Sequence, residues 1–200
     1  MIIPRLYFIR HGETDWNAGG RLQGQRDIPL NETGRRQAAA VAGVLERLAA
    51  TGGDLPWWSS PLKRARETAE IVRATLRLPA SGYRTDDRLK ELAFGDWEGL
   101  TWPQVERHSP ALAAQRLADK WHTLPPGGEN YERLADRLGS FLGQLDGEGV
   151  LVAHGGVGRA LMVLSGALDR REAAETFVRQ GVVYVFEPGR FVVEAPVAAQ

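Results

Sequence analysis

Two histidines stand in matching contexts in this 200-residue chain: LYFIR precedes His11-Gly12, and VLVA precedes His154-Gly155. Each histidine follows a short apolar run and comes directly before a glycine. If the two runs are parallel neighbouring strands, their imidazoles converge on the crevice beyond the carboxyl ends of the strands, where open α/β sheets bind ligands. A glycine beside each histidine would let backbone N–H groups, that of Gly155 included, come close to such a ligand. Arg10 adjoins the first histidine, and Arg64 falls in the first turn of a helix expected after LPWWSS, where the helix N-terminus already favours an anion. Two guanidiniums, two imidazoles and free N–H groups describe a pocket for a phosphate-like dianion. A lone histidine at a strand end is more often a structural residue. The repeated context, with arginines close by, favours chemistry.

A neutral imidazole is a competent nucleophile near pH 7, because an ordinary pKa of about 6.5 leaves its lone pair free on most molecules. Its ring must be oriented, and the Gly12 carbonyl is the nearest candidate. Other chemistries fit less well. The chain has no Cys, which excludes a disulfide framework, a thiolate zinc site and a cysteine nucleophile. The histidines at 11, 108, 122 and 154 show no H-E-x-x-H spacing, so no metal is expected, and His108 and His122 read as surface or loop residues. GGVGRAL at 155–161 lacks the third glycine of a dinucleotide loop, and no Walker A sequence is present. Lys+Arg equals Asp+Glu at 25 each, so no overall field draws nucleic acid or anionic lipid, and any anion site must come from local clustering.

These side chains have to be positioned by regular elements. RLYFI at 5–9 reads as a buried strand, TDWNAGGRLQGQRDIPLN at 14–31 as a long irregular loop, and ETGRRQAAAVAGVLERLAA as a helix capped by Asn31 or Thr33 and running to about Ala50. LPWWSS is a second short strand, followed by a helix with Pro61 near its first turn. Residues 82–100 are irregular. Two or three modest helices follow, the last from about Glu129 to Leu145. VLVA, a helix through VGRALMVLSG and a hairpin of VVYVFE and RFVVEA complete the chain. Strands alternating with helices predict an α/β fold: three layers, α/β/α, with a mostly parallel sheet flanked by helices, in a single domain over 1–200. Trp57, Trp58 and Trp97 are expected to pack in the core or at its rim, and Trp102 and Trp121 are candidates for the pocket mouth. The opening MIIPRLYFIRHG has no basic n-region and no run reaches membrane-spanning length, so a cytoplasmic protein without membrane partners is expected.

RHGETDWN at 10–17, SSPLKRARETA at 59–69, ELAFGDWEG at 91–99 and AHGG at 153–156 together resemble the histidine phosphatase superfamily, also called phosphoglycerate mutase-like. The resemblance covers nearly the whole chain, with the four blocks in the expected order. It implies that His11 becomes phosphohistidine, that Arg10, Arg64 and His154 hold the phosphoryl oxygens, and that Glu91 donates a proton to the leaving group. It also places Asn17, Gln23 and Gly24 in the phosphate pocket, and it implies no cofactor. Read alone, Glu91 would sooner pair with Arg88 or Lys90 on a solvated loop, and Glu13 and Asp15 would be loop carboxylates.

Phosphatases and mutases of this family share those catalytic residues. Phosphoglycerate mutases resemble a longer chain with an arginine pair after a tryptophan in the middle segment, where this chain has Trp121-His122-Thr123. A carboxylate-bearing substrate wants such cations, and Arg107 and Arg116 are the available substitutes. PPGGEN at 125–130 is similar to a stretch of the smaller phosphatases, including those acting on α-ribazole phosphate, with Asn130 where a serine is usual. The expectation is a phosphatase of loose specificity whose partner is a small phosphorylated metabolite. A 2,3-bisphosphoglycerate-dependent mutase and a non-catalytic phospho-ligand module are the alternatives, and a homodimer is left open.

Overall fold

The computed structural model describes residues 3–48 and 55–196. In chain order the elements are β1 (Leu6–Arg10), α1 (Asp15–Ala18), α2 (Glu32–Leu48), β2 (Trp57–Ser59), α3 (Lys63–Thr75), β3 (Arg84–Thr85), α4 (Trp102–His108), α5 (Pro110–Ala118), α6 (Tyr131–Leu142), β4 (Gly149–Ala153), α7 (Gly155–Leu164), α8 (Arg170–Glu175), β5 (Val183–Glu187) and β6 (Arg190–Glu194). Short 3-10 turns at Asp87–Leu89 and Gly95–Trp97 interrupt the irregular segment before α4.

The strands form one six-stranded sheet in the order β3-β2-β4-β1-β5-β6. Neighbours from β3 through β1 pair in parallel, while β5 runs antiparallel to β1 and β6 antiparallel to β5. The sheet is thus mostly parallel, as expected, with the expected hairpin of β5 and β6 as its antiparallel side. Strand β1 explains the three layers. Its side chains alternate between faces, with Tyr7 and Ile9 packing among Val41, Leu45, Ala69 and Val72 of α2 and α3, and Leu6 and Phe8 packing among Leu134, Leu138 and Leu161 of α6 and α7. An unbroken apolar run is what a strand covered on both faces requires.

Helix starts follow local capping chemistry. Asn31 caps α2 by accepting the Gly34 N–H at 2.9 Å. Asn130 caps α6 by accepting the Arg133 N–H at 3.0 Å, a role for which asparagine and serine are equally suited. The described part of α2 ends at Leu48, and Ala49 and Ala50 lie outside the described residues. The last middle helix stops at Leu142, short of Leu145, with Gly143 as its cap. Two short helices break the expected pattern. The loop after β1 is not wholly irregular, because a Thr14/Asn17 capping box nucleates the single turn of α1. An Asp169/Glu172 box likewise starts α8. Both boxes are legible as sequence, but helices this short give little periodicity to find. Among the described residues, no helix is long and apolar enough to cross a membrane.

Candidate active site

Strand register brings the histidines together. β1 pairs with β4 in the register Leu6↔Gly149 through Arg10↔Ala153, the same offset that separates His11 from His154. The ladder carries one step further, the His11 N–H donating to the Ala153 carbonyl at 2.9 Å. The two imidazoles consequently leave adjacent strand ends side by side, ring centroids 5.2 Å apart.

The surroundings of His11 determine which nitrogen carries its hydrogen. Nδ1 lies 2.7 Å from the Gly12 carbonyl, which can only accept, so Nδ1 donates. Nε2 lies 3.2 Å from Arg64 Nε, which can only donate, so Nε2 accepts. The result is a neutral imidazole with its Nε2 lone pair turned toward the arginine. Burial drives the pKa of His11 well below its ordinary value, and Arg64 and Arg10 lower it further, outweighing the Gly12 hydrogen bond. His154 is shifted the same way, by burial first and then by Arg64, His11 and Arg10.

Arg64, fully buried at the start of α3, is held in place by carbonyls rather than by an acid: it donates to Arg26 at 2.7 Å and to Gly24 at 2.8 Å. Burial lowers its pKa to about 10, with Glu91 and Asp27 opposing the shift. Arg10 donates to the Val178 carbonyl at 2.6 Å, and its buried Nε has no partner among the described residues. Glu91 forms no ion pair with Arg88 or Lys90, which bind Asp86 and Asp87 instead. Its Oε1 accepts the Leu92 N–H at 2.9 Å and the Gly156 N–H at 3.0 Å, whereas Oε2 has a single longer contact, 3.2 Å from Gly156 N. One carboxylate oxygen is anchored and the other is freer for proton exchange.

Arg10, His11, Asn17, Gln23, Gly24, Arg64, Glu91 and Gly155 line one cavity of about 170 Å³, and His154, fully buried next to His11, is not part of its lining. Arg21 and Arg159 also line it, so four arginines face a single carboxylate and the cavity is strongly cationic. Asn17 Oδ1 is occupied by the Thr14 N–H at 3.2 Å and Gln180 Nε2 at 3.1 Å, while the buried Gln23 Oε1 has no partner among the described residues. Gly24, at φ +52°, takes a conformation that favours glycine and has Glu98 against its Cα.

Several expectations need correction. Gly12 does not open its N–H toward a ligand: that group donates to Thr68 Oγ1 at 3.0 Å. Its missing side chain instead lets α2 approach, since a Cβ there would lie 2.3 Å from the Gly34 carbonyl oxygen. Beside His154, the glycine under steric demand is Gly156, where a Cβ would lie 2.4 Å from Glu91 Oε1. Trp121 is a core residue stacked on Tyr131, not part of the pocket mouth. Arg107 is exposed on α4. Other readings stand: Glu13 binds Asn31, His108 binds the Gln104 carbonyl and His122 binds Asp119, all outside the cavity as expected.

Besides Arg21, Leu22 and Phe94 of the cavity wall, three contributors were not anticipated. Ser60 Oγ lies 2.7 Å from His154 Nε2. Arg159 sits one turn into α7 from Gly155, a spacing that places both on one helix face. Phe177 stands 5.9 Å from the Arg10 guanidinium. The Ser59-Ser60-Pro61 turn and the Gly155 to Arg159 spacing were visible signals for the first two, whereas nothing local marked Phe177.

Comparison with known proteins identifies the family. Residues 6–194 match the family model of the histidine phosphatase superfamily (branch 1). An Arabidopsis thaliana protein named metal-independent phosphoserine phosphatase is 39% identical over 165 residues, covering 80% of this chain and 67% of its own. Glucosyl-3-phosphoglycerate phosphatase of Mycolicibacterium vanbaalenii is 39% identical over 174 residues, covering 80% of this chain and 73% of its own. Among solved structures, a phosphoglycerate mutase from Thermus thermophilus superposes with a TM-score of 0.74 at 33% identity, over 97% of this chain and 99% of that one.

Proposed function

The chain belongs to the histidine phosphatase superfamily, and from that premise we propose that it hydrolyses small phosphomonoesters through a phosphohistidine on His11, with Glu91 as acid and base and no metal ion. The observation that carries the reading is the tautomer of His11. With Nδ1–H held by the Gly12 carbonyl, the Nε2 lone pair is the nucleophile, and it already faces the guanidinium that would bind the transferring group.

In the first step Nε2 attacks phosphorus and the bond from phosphorus to the ester oxygen breaks. The leaving oxygen keeps the electron pair and takes a proton from Glu91 Oε2. Arg64 exchanges its contact with Nε2 for a phosphoryl oxygen as the P–N bond forms. In the second step a water oxygen attacks phosphorus, Glu91 takes the water's proton, and the P–N electron pair returns to Nε2. Phosphoryl transfer needs mainly in-line positioning and neutralised equatorial oxygens. Arg10, Arg64 and His154 are suited to that role, with the Gly155 N–H at the start of α7 and the Asn17, Gln23 and Gly24 edge completing the pocket. The relatives' names, two phosphatases of phosphorylated metabolites and one described as metal-independent, support the same reading.

Hydrolysis of p-nitrophenyl phosphate should persist in excess EDTA. Rapid quench with a ³²P-labelled phosphomonoester should trap an acid-labile, base-stable phosphoenzyme that His11→Ala lacks. Glu91→Gln should slow turnover of an alkyl phosphate by roughly 10²- to 10⁴-fold and that of p-nitrophenyl phosphate less, since nitrophenolate departs without a proton. Strict metal dependence would refute the mechanism. Transfer to a phosphoglycerate faster than to water would make the chain a mutase, and tight binding with no labelling would make it a binding module.

A further inference from the structure

Beside the catalytic cavity lies a second one of about 320 Å³. Leu22, Phe94 and Arg159 line both, so the second cavity adjoins the space where a leaving group would emerge from the phosphate pocket. Its remaining apolar walls are Trp102, Leu117, Tyr131 and Ala174. A mostly apolar cavity with a few convergent polar groups is the usual form of a small-molecule site.

The polar groups here are cations. Arg116 is 4% exposed and its guanidinium carbon lies 5.6 Å from the Phe94 ring centroid and 5.9 Å from that of Tyr131. It donates to the Thr123 carbonyl at 2.6 Å. Arg159 donates to the Thr176 carbonyl at 2.8 Å and the Tyr131 hydroxyl at 3.1 Å. Among the described residues neither forms an ion pair with a carboxylate, whereas Lys120 in the same cavity is held by Glu175 at 2.8 Å. Buried charges are ordinarily paired, and here the charge of Arg159 adds to burial in disfavouring the charged form of Arg116. The catalytic steps use neither Arg116 nor this cavity.

Resting on the phosphatase reading above, we infer that this cavity is a leaving-group subsite for phosphomonoesters whose alcohol joins a flat apolar body to a carboxylate, with Arg116 and Arg159 binding the carboxylate and Phe94, Trp102 and Tyr131 the body. The planar fork of a guanidinium matches the two oxygens of a carboxylate. Arg116 spends one of its five N–H groups on the Thr123 carbonyl and Arg159 two on Thr176 and Tyr131, so both keep donors for the two carboxylate oxygens.

The test compares kcat/KM for phenyl phosphate, 4-(carboxymethyl)phenyl phosphate and 4-(2-aminoethyl)phenyl phosphate, whose leaving phenols are similar in acidity. The carboxymethyl ester should exceed phenyl phosphate by about tenfold or more, mostly through KM, as one new charge-assisted hydrogen bond would give, and the aminoethyl ester should fall below it. Arg116→Gln should bring the carboxymethyl-to-phenyl ratio close to one. Because a buried arginine can matter for folding, Leu117→Asp provides a second variant: it adds a negative charge at a wall position that is 53% exposed, and it should lower the same ratio. Equal rates for the carboxymethyl and phenyl esters, or a ratio indifferent to both substitutions, would overturn the subsite while leaving the phosphatase intact. No turnover of any of the three esters would instead remove the phosphatase reading, and this inference with it.

Discussion

At the scale of single residues, the site depends on which nitrogens carry hydrogen. For His11 the Gly12 carbonyl and Arg64 decide the matter between them. For His154 the deciding partner is Ser60. Ser60 Oγ accepts the Leu62 N–H at 3.3 Å, and its own hydrogen is satisfied by donation to His154 Nε2 at 2.7 Å, the assignment that uses the buried hydroxyl fully. Nδ1 then carries the imidazole hydrogen, buried and without a partner among the described residues. An unpaired buried donor costs about 1–3 kcal/mol, and under the proposed mechanism a phosphoryl oxygen would accept from it and recover that cost. Ser60→Ala should therefore move His154 toward the Nε2–H tautomer, visible in ¹⁵N imidazole shifts, and weaken inhibition by inorganic phosphate by about tenfold, the worth of one hydrogen bond to a charged acceptor. Unchanged imidazole shifts would show that Ser60 only fills space.

At the scale of elements, α7 meets the Glu91 segment so closely that the carboxylate lies over the helix start. Gly156 permits this: its N–H reaches Glu91 Oε1 at 3.0 Å, and any side chain there would collide with the same oxygen. Gly156→Ala separates stability from chemistry. In a helix, alanine is favoured over glycine by about 0.5–1 kcal/mol, so the melting temperature should hold or rise. Glu91 must nevertheless move, and kcat should drop by roughly 10²-fold or more, the worth of a positioned general acid. A loss of activity that follows a loss of folded protein would contradict this account. Gly12 and Gly34 show the same economy between the end of β1 and α2, the first admitting the Gly34 backbone and the second the backbone of Glu13.

At the scale of the whole molecule, burying two imidazoles links folding to pH. Both histidines have pKa values well below the ordinary 6.5, burial being the first cause for each. Below about pH 6.5 the unfolded chain takes up protons that the folded chain refuses, so the unfolded state binds more protons and stability falls as pH falls. The loss continues until the depressed folded-state values are reached. Its slope can approach about 1.4 kcal/mol per pH unit for each histidine. Urea midpoints should thus decline steadily from pH 7 to pH 5, and His154→Gln should flatten that decline. An equal decline in the variant would assign the acid sensitivity to other groups. The same depression favours an unprotonated His11, as the proposed nucleophile requires, at pH values where a free imidazole would already be charged.

The sequence by itself marked the candidate residues for the proposed chemistry and most of the elements beneath them. His11, Arg10, Arg64, Glu91 and His154 sit in short contiguous motifs, and apolar runs, caps and helical periodicity are local patterns that survive without coordinates. Only the tertiary structure decided how those motifs meet. The β1 to β4 register brings His11 and His154 together, the α7 contact selects Gly156 rather than Gly155 as the glycine that must lack a side chain, and Ser60 reaches His154 across 94 positions of chain. Arg116 and Arg159 likewise become a pair only because α5 and α7 bring them to one cavity. Such contacts depend on strand register and on packing at the level of single atoms, where residues far apart in the chain leave no local pattern to read.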